Sequence, residues 1–130
     1  AKPVPVNFAN LKNPKRDIIF VGASGPIANF IFAIILSLLW RILPVNQAID
    51  LVFLLLIKIN VVLGVFNLIP IPPLDGSRIL SGLLPDKLSY EYSRLEPYGF
   101  MIIIILIFLG LFNAVVEPIT KIITSLLVTN

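Results

Sequence analysis

The chain has 130 residues, 58% of them hydrophobic and 13% charged, with ten basic against seven acidic side chains and a mean hydropathy of +1.00. Soluble domains carry roughly 25% charged residues, so this composition excludes a soluble enzyme and a disordered tail and defines a membrane protein. The absence of Cys and His excludes disulfide scaffolds, thiolate catalysis and any imidazole base or ligand from this chain, while basic residues that flank apolar runs exclude nucleic acid as a partner and point to membrane orientation.

In chain order, Lys2-Pro-Val-Pro-Val-Asn7 predicts an extended strap, because each proline pushes its predecessor out of the helical region, and Asn13-Pro14 predicts a turn. The first span is expected at about 18–43, with Arg41 at its far end able to snorkel to the interface. Near its start Gly22, Ala23, Ser24, Gly25, Pro26, Ala28 and Asn29 cluster. Small residues allow close helix packing, and an amide that cannot face lipid cheaply predicts an interhelical hydrogen bond from Asn29. The expected neighbour of this seam is a helix preceding the chain.

The second span is expected at about 48–69, although Lys58, Asn60 and Asn67 interrupt it. Sixteen of the 21 residues from Ile49 to Ile69 are Leu, Ile, Val or Phe, favourable by about 0.3–0.6 kcal/mol each against roughly 3 kcal/mol for a central Lys. Insertion therefore wins. Pro70, Pro72 and Pro73 cannot continue the helix, so the chain is expected to unwind at Pro70 and run extended to Asp75, freeing carbonyls at membrane depth. Such backbone is tolerated only inside protein or beside a wet cavity, and a carboxylate there is a functional candidate by default. Capping a helix over 76–84 is the competing role for Asp75.

An interfacial amphipathic helix is expected from Asp86 to Pro97, with Leu88, Tyr92 and Leu95 on one face. The third span, about 97–116, carries no charge before Glu117, and a second amphipathic helix should follow Pro118. Lys2, Lys12, Lys15, Arg16, Arg78, Lys87 and Arg94 are seven of the ten basic residues. The positive-inside rule then puts residues 1–17 and 70–96 in the cytoplasm, with Asp75 near that side. The predicted fold is all-α, a single membrane domain of three transmembrane helices with a short extended N-terminal segment and interfacial helices.

The motifs Ser-Gly-Pro-Ile-Ala-Asn (24–29) and Asn-Leu-Ile-Pro-Ile-Pro-Pro-Leu-Asp-Gly-Ser-Arg (67–78), on successive spans, resemble the site-2 protease family of intramembrane zinc metalloproteases. Ala-Lys-Pro-Val-Pro-Val-Asn before them and Leu-Glu-Pro-Tyr-Gly-Phe (95–100) after them are similar to small prokaryotic members. The resemblance implies that Asp75 is the third protein ligand of a catalytic zinc and that Asn67 holds the substrate or its oxyanion. It leaves Gly25, Pro26, Asn29 and Pro70 to substrate binding or helix packing. It implies a transmembrane protein or peptide as substrate, cleaved in a prokaryotic cell membrane.

The family's other two zinc ligands and its general base come from a His-Glu-x-x-His helix, and this chain has no histidine. The expectation is a C-terminal fragment of a larger protease core that needs its missing N-terminal helices and is inactive alone. The alternatives are a noncatalytic pseudoprotease or membrane scaffold, and a transporter piece built on a Lys58–Asp75 charge pair.

Overall fold

A computed structural model describes residues 14–129. The expected strap over residues 2–7, Lys2 and Lys12 lie outside the described residues. Six α-helices follow one another: α1 (Pro14–Ile42), α2 (Gln47–Asn67), α3 (Asp75–Leu83), α4 (Asp86–Ser93), α5 (Gly99–Phe108) and α6 (Glu117–Val128). A 3₁₀ turn at Glu96–Tyr98 joins α4 to α5, and one π-helical turn at Phe112–Val116 leads into α6. No strand occurs among the described residues.

Helices α1 and α2 are each long and apolar enough to cross a membrane. Only 17% and 22% of the residues in their apolar windows are buried, and side chains such as Phe20, Ile31, Leu38, Leu51 and Leu55 point outward. A bilayer of apolar tails makes that outward surface favourable, whereas water would not. Asn46 caps α2, its side chain accepting from the Ile49 N–H at 2.9 Å.

The third apolar run differs from the single straight span expected. The helical stretches Asp86–Phe108 and Phe112–Val128 meet at a 72° bend. Gly110 sits in the bend with φ +96°, a conformation that only glycine adopts without strain. Bent this far, the pair is a broken span or a re-entrant loop, and counted as one span it raises the number of candidate spans among the described residues from two to three.

The core joins α1, α2 and α6. Ala33 and Leu36 of α1 meet Ile57, Val61 and Val65 of α2, and Val116 closes the cluster. The tip of the Phe30 ring meets Gly64, where a Cβ would stand 2.8 Å from Cζ. The C-terminus of α6 is tied to α1: Arg41 donates to the carbonyls of Leu127 (3.0 Å) and Thr129 (2.6 Å), and Ser37 donates to Leu127. These bonds satisfy carbonyls that a helix end leaves orphaned. Arg41 thus serves the fold rather than simply snorkelling, and Asp50 accepts from the Trp40 indole.

Because a side chain at Gly64 would meet the tip of Phe30, Gly64→Leu should force the Phe30 ring off α2. The expected loss is about 1–3 kcal/mol, the usual cost of overpacking a core. Thermal unfolding in detergent, followed by circular dichroism, should show a lower midpoint for Gly64→Leu and a smaller drop for Gly64→Ala.

Candidate active site

Three segments build the site: the first half of α1, the Pro-rich strap after α2, and the start of α3. Helix α2 ends at Asn67, three residues before Pro70, whose missing N–H and ring bar continuation. The strap from Leu68 to Leu74 is turned rather than extended as expected. Ile71 N–H bonds Ile69 O at 2.8 Å, and Leu74 N–H bonds Ile71 O at 2.9 Å. The strap folds back so tightly that a Cβ on Gly76 would stand 2.1 Å from the Leu68 carbonyl oxygen.

Tyr92 of α4 pins the strap by donating its phenol to the Pro70 carbonyl. Burial pushes the Tyr92 phenol above its ordinary pKa. On the far side Gly99 meets Pro72, where any Cβ would overlap the Pro72 carbonyl. The carbonyl at Pro70 is thus occupied by protein, as buried irregular backbone requires.

The strap delivers Asp75 to the first position of α3. Asp75 does not cap that helix: the N-cap residue is Leu74, and no side chain caps it. Its carboxylate instead faces α1. A Cβ added at Gly25 would stand 2.7 Å from Asp75 Oδ2, and one at Gly22 would stand 2.8 Å from the Asp75 carbonyl and 2.9 Å from Arg78 Cβ. At the other end of α3, a Cβ on Gly82 would strike Ile19. Helices α1 and α3 therefore run antiparallel, with Gly22 and Gly25 forming a notch for Asp75.

This corrects the expected neighbour of the glycine seam, which is α3 of the same chain. Pro26 is fully buried within α1. Asn29 is half-buried and makes no hydrogen bond among the described residues, so the expected interhelical bond is absent there. Ala28 is exposed.

The other carboxylate oxygen, Oδ1, lies 3.5 Å from the Arg78 guanidinium one turn along α3. The two oxygens thus have different surroundings, one cationic and one against bare backbone. Asn67 is half-buried, and its Nδ2 donates to Leu63 O at 2.9 Å. Primary amides carry two N–H donors, so one remains uncommitted. No hydrogen bond links Asn67 to Asp75. Beyond Arg78 a cavity of about 310 Å³ opens between α1, the strap and α4, lined by Ile18, Pro72, Ser77, Arg78, Tyr92 and Glu96.

Lys58 makes no ion pair among the described residues, so the Lys58–Asp75 charge pair of the transporter reading is not formed. Lys58 faces α6 instead, while Asp75 faces α1. Sequence reasoning missed Gly64 and Gly82, whose isolated positions carry no small-residue pattern, and Tyr92, which it placed only on an amphipathic face.

Among the described residues no three His, Cys, Asp or Glu side chains come together. A catalytic zinc takes three protein ligands, so these residues fit zinc only through one carboxylate, whose Oδ2 occupies the glycine notch.

An α-helical membrane protein with a carboxylate held at the mouth of a Pro-rich strap is the class that fold and site define. Residues 41–111 match the model of Peptidase family M50, and the chain belongs to that family, the site-2 protease family. It is 33% identical over 127 residues to a Bacillus subtilis protein named "Putative zinc metalloprotease YwhC", a match covering 91% of this chain and 58% of the relative. It is 38% identical over 80 residues to Zinc metalloprotease MJ0392 of Methanocaldococcus jannaschii, covering 61% of this chain and 23% of that relative. The chain thus spans little more than half of the first relative and under a quarter of the second. No solved structure matches it.

Removing the phenol should loosen the strap without disturbing the spans. Tyr92→Phe should speed amide hydrogen exchange at Ile71 and Leu74 by about fivefold, the equivalent of a net hydrogen bond of about 1 kcal/mol. Exchange in the middle of α1 and α2 should stay as in the parent, and mass spectrometry of the peptides reads both.

Proposed function

We propose that this chain is the C-terminal part of a zinc-dependent intramembrane endopeptidase that cleaves transmembrane segments, with Asp75 as one zinc ligand. The observation that carries the reading is the Asp75 carboxylate seated against Gly25 at the end of a broken membrane helix, in a chain of family M50. The named metalloprotease relatives support zinc and hydrolysis as the chemistry. Zinc, when bound, supplies the Lewis acid for attack on a peptide carbonyl.

The roles of this chain's residues follow from their surroundings. Arg78 occupies Asp75 Oδ1, which leaves Oδ2 as the ligating atom, and the bare backbone at Gly25 lets it approach α1. The uncommitted N–H of Asn67 donates to the carbonyl oxygen of the scissile bond as charge develops there. Pro70 ends α2 and so keeps the strap unwound. Gly25 and Pro26 shape the notch, and the exposed Ala28 and half-buried Asn29 lie on the same stretch of α1 for a substrate or a neighbouring helix. The remaining ligands and the general base come from a His-Glu-x-x-His helix outside this chain, so the chain alone is inactive.

The depth of the site suits a hydrolase. Gly25 lies 17 residues before Ile42, about 25 Å along the axis at 1.5 Å per residue. With Ile42 at one boundary of a hydrocarbon core of about 30 Å, Asp75 sits within about 5 Å of the other. Lys15 and Arg16 on α1, and Arg78, Lys87 and Arg94 around the strap and α4, make that boundary the cytoplasmic one. The cavity beside Arg78 opens on the same side of the strap, three residues along α3 from Asp75.

In the complete protein, Asp75→Ala should abolish cleavage of a membrane substrate and lower zinc content. Asn67→Ala should slow turnover by about a hundredfold or more, the usual cost of losing an oxyanion donor, with zinc content unchanged. Metal analysis beside a cleavage assay separates the two, and normal cleavage by Asp75→Ala would end the ligand reading. The chain of 130 residues on its own should retain no stoichiometric zinc after dialysis.

The orientation has its own check. Ser89→Cys, the sole thiol in the variant, should react with an impermeant maleimide only from the cytoplasmic face of sealed vesicles. Labelling from the opposite face alone would invert the topology.

A further inference from the structure

We propose that the cavity between α2 and α6 binds the headgroup of an anionic phospholipid through Lys58 and the hydroxyls of Thr120 and Thr124. The cavity measures about 440 Å³ and is separate from the Asp75 site. Lys58 lies 11 residues from the start of α2 and nine from its end, at the middle of a span, where an ammonium without a counter-charge is unfavourable. Glu117 also lines the cavity, but its carboxylate is paired with Lys121 at 3.5 Å. That pair leaves the positive charge of Lys58 uncompensated.

The hydroxyls make the same demand independently. Thr120 is 2% exposed, and the buried oxygens of Thr120 and Thr124 both lack any hydrogen-bond partner. Threonine in a helix can donate to the carbonyl one turn back, and neither does so here. Two unpartnered hydroxyls and one ammonium around a cavity call for an anionic ligand rich in acceptor oxygens.

The rest of the wall sets the ligand's other half. Val62, Phe112 and Val128 give the cavity apolar sides, which suit an acyl chain and offer nothing to a free anion. Side chains on a helix tilt toward its N-terminus, and a long Lys side chain can snorkel, so Lys58 is able to reach from mid-span toward the Gln47 end of α2 and the boundary where phosphodiesters sit. An amphiphile with an anionic phosphate head meets all three requirements, and a free phosphate meets two.

The test is native mass spectrometry of the purified chain from vesicles of phosphatidylglycerol and phosphatidylcholine in equal amounts. The parent chain should retain phosphatidylglycerol and release phosphatidylcholine. Lys58→Gln should lower retention about tenfold, as expected for a charge-assisted contact, and Thr120→Val should lower it less. Lys58→Arg, and Lys87→Gln on α4, should behave as the parent, and Lys58→Arg with Thr120→Val decide the matter if Lys58→Gln loses helix content. Equal retention of the two lipids, or undiminished phosphatidylglycerol on Lys58→Gln, would overturn the proposal. Displacement of the lipid by millimolar inorganic phosphate would overturn the lipid as ligand and leave a simple anion site.

Discussion

The approach of α3 to the glycine face of α1 is the contact on which the site depends. A helix surface built from Gly22 and Gly25 lets the backbone of α3 come close enough for the Asp75 carbonyl and carboxylate to touch α1 directly. Two methyl groups in those places would push α3 away and take Asp75 with it. The segments on either side serve that placement: Pro70 stops α2, the strap turns twice, and Tyr92 and Gly99 hold it from the far side. A carboxylate needs this support because its position at the edge of a span is costly unless its oxygens are satisfied.

The bilayer explains the remainder of the architecture. Helices α1 and α2 bury a narrow seam against each other and α6, α1 packs also against α3, and their remaining faces carry large exposed apolar side chains. Without a hydrophobic driving force between helices in lipid, association rests on close packing and on hydrogen bonds. The seam supplies the packing through Gly64 beneath Phe30, and the Arg41 and Ser37 bonds to the end of α6 supply the hydrogen bonds. Rigid helices around a turned strap give a frame in which one segment is irregular and held.

The first two spans were legible because an apolar run of membrane length has few other uses, even where Lys58, Asn60 and Asn67 interrupt it. Asp75 was legible too, since three prolines in four positions force a break and a carboxylate beside a break stands out. The bend in the third run was not, because hydropathy averages over Gly110 and carries no information on its φ. The partner of the glycine seam was hidden for a related reason. Spacing shows which face of α1 packs closely, but a nine-residue helix with its own glycine at position 82 gives no sign that it folds back to fill that face. Lys58 announced itself as an anomaly, while its surroundings came only with the position of α6.

The central claim is that the glycine notch of α1 acts on function through Asp75. The direct measurement is a double-mutant cycle on zinc content in the complete protein, using Gly25→Val, Asp75→Ala and the two together. Gly25→Val alone should lower zinc content, and combining it with Asp75→Ala should lower it no further than Asp75→Ala does, because both changes remove the same contact. Independent, additive losses would contradict the account, and so would normal zinc content in Gly25→Val.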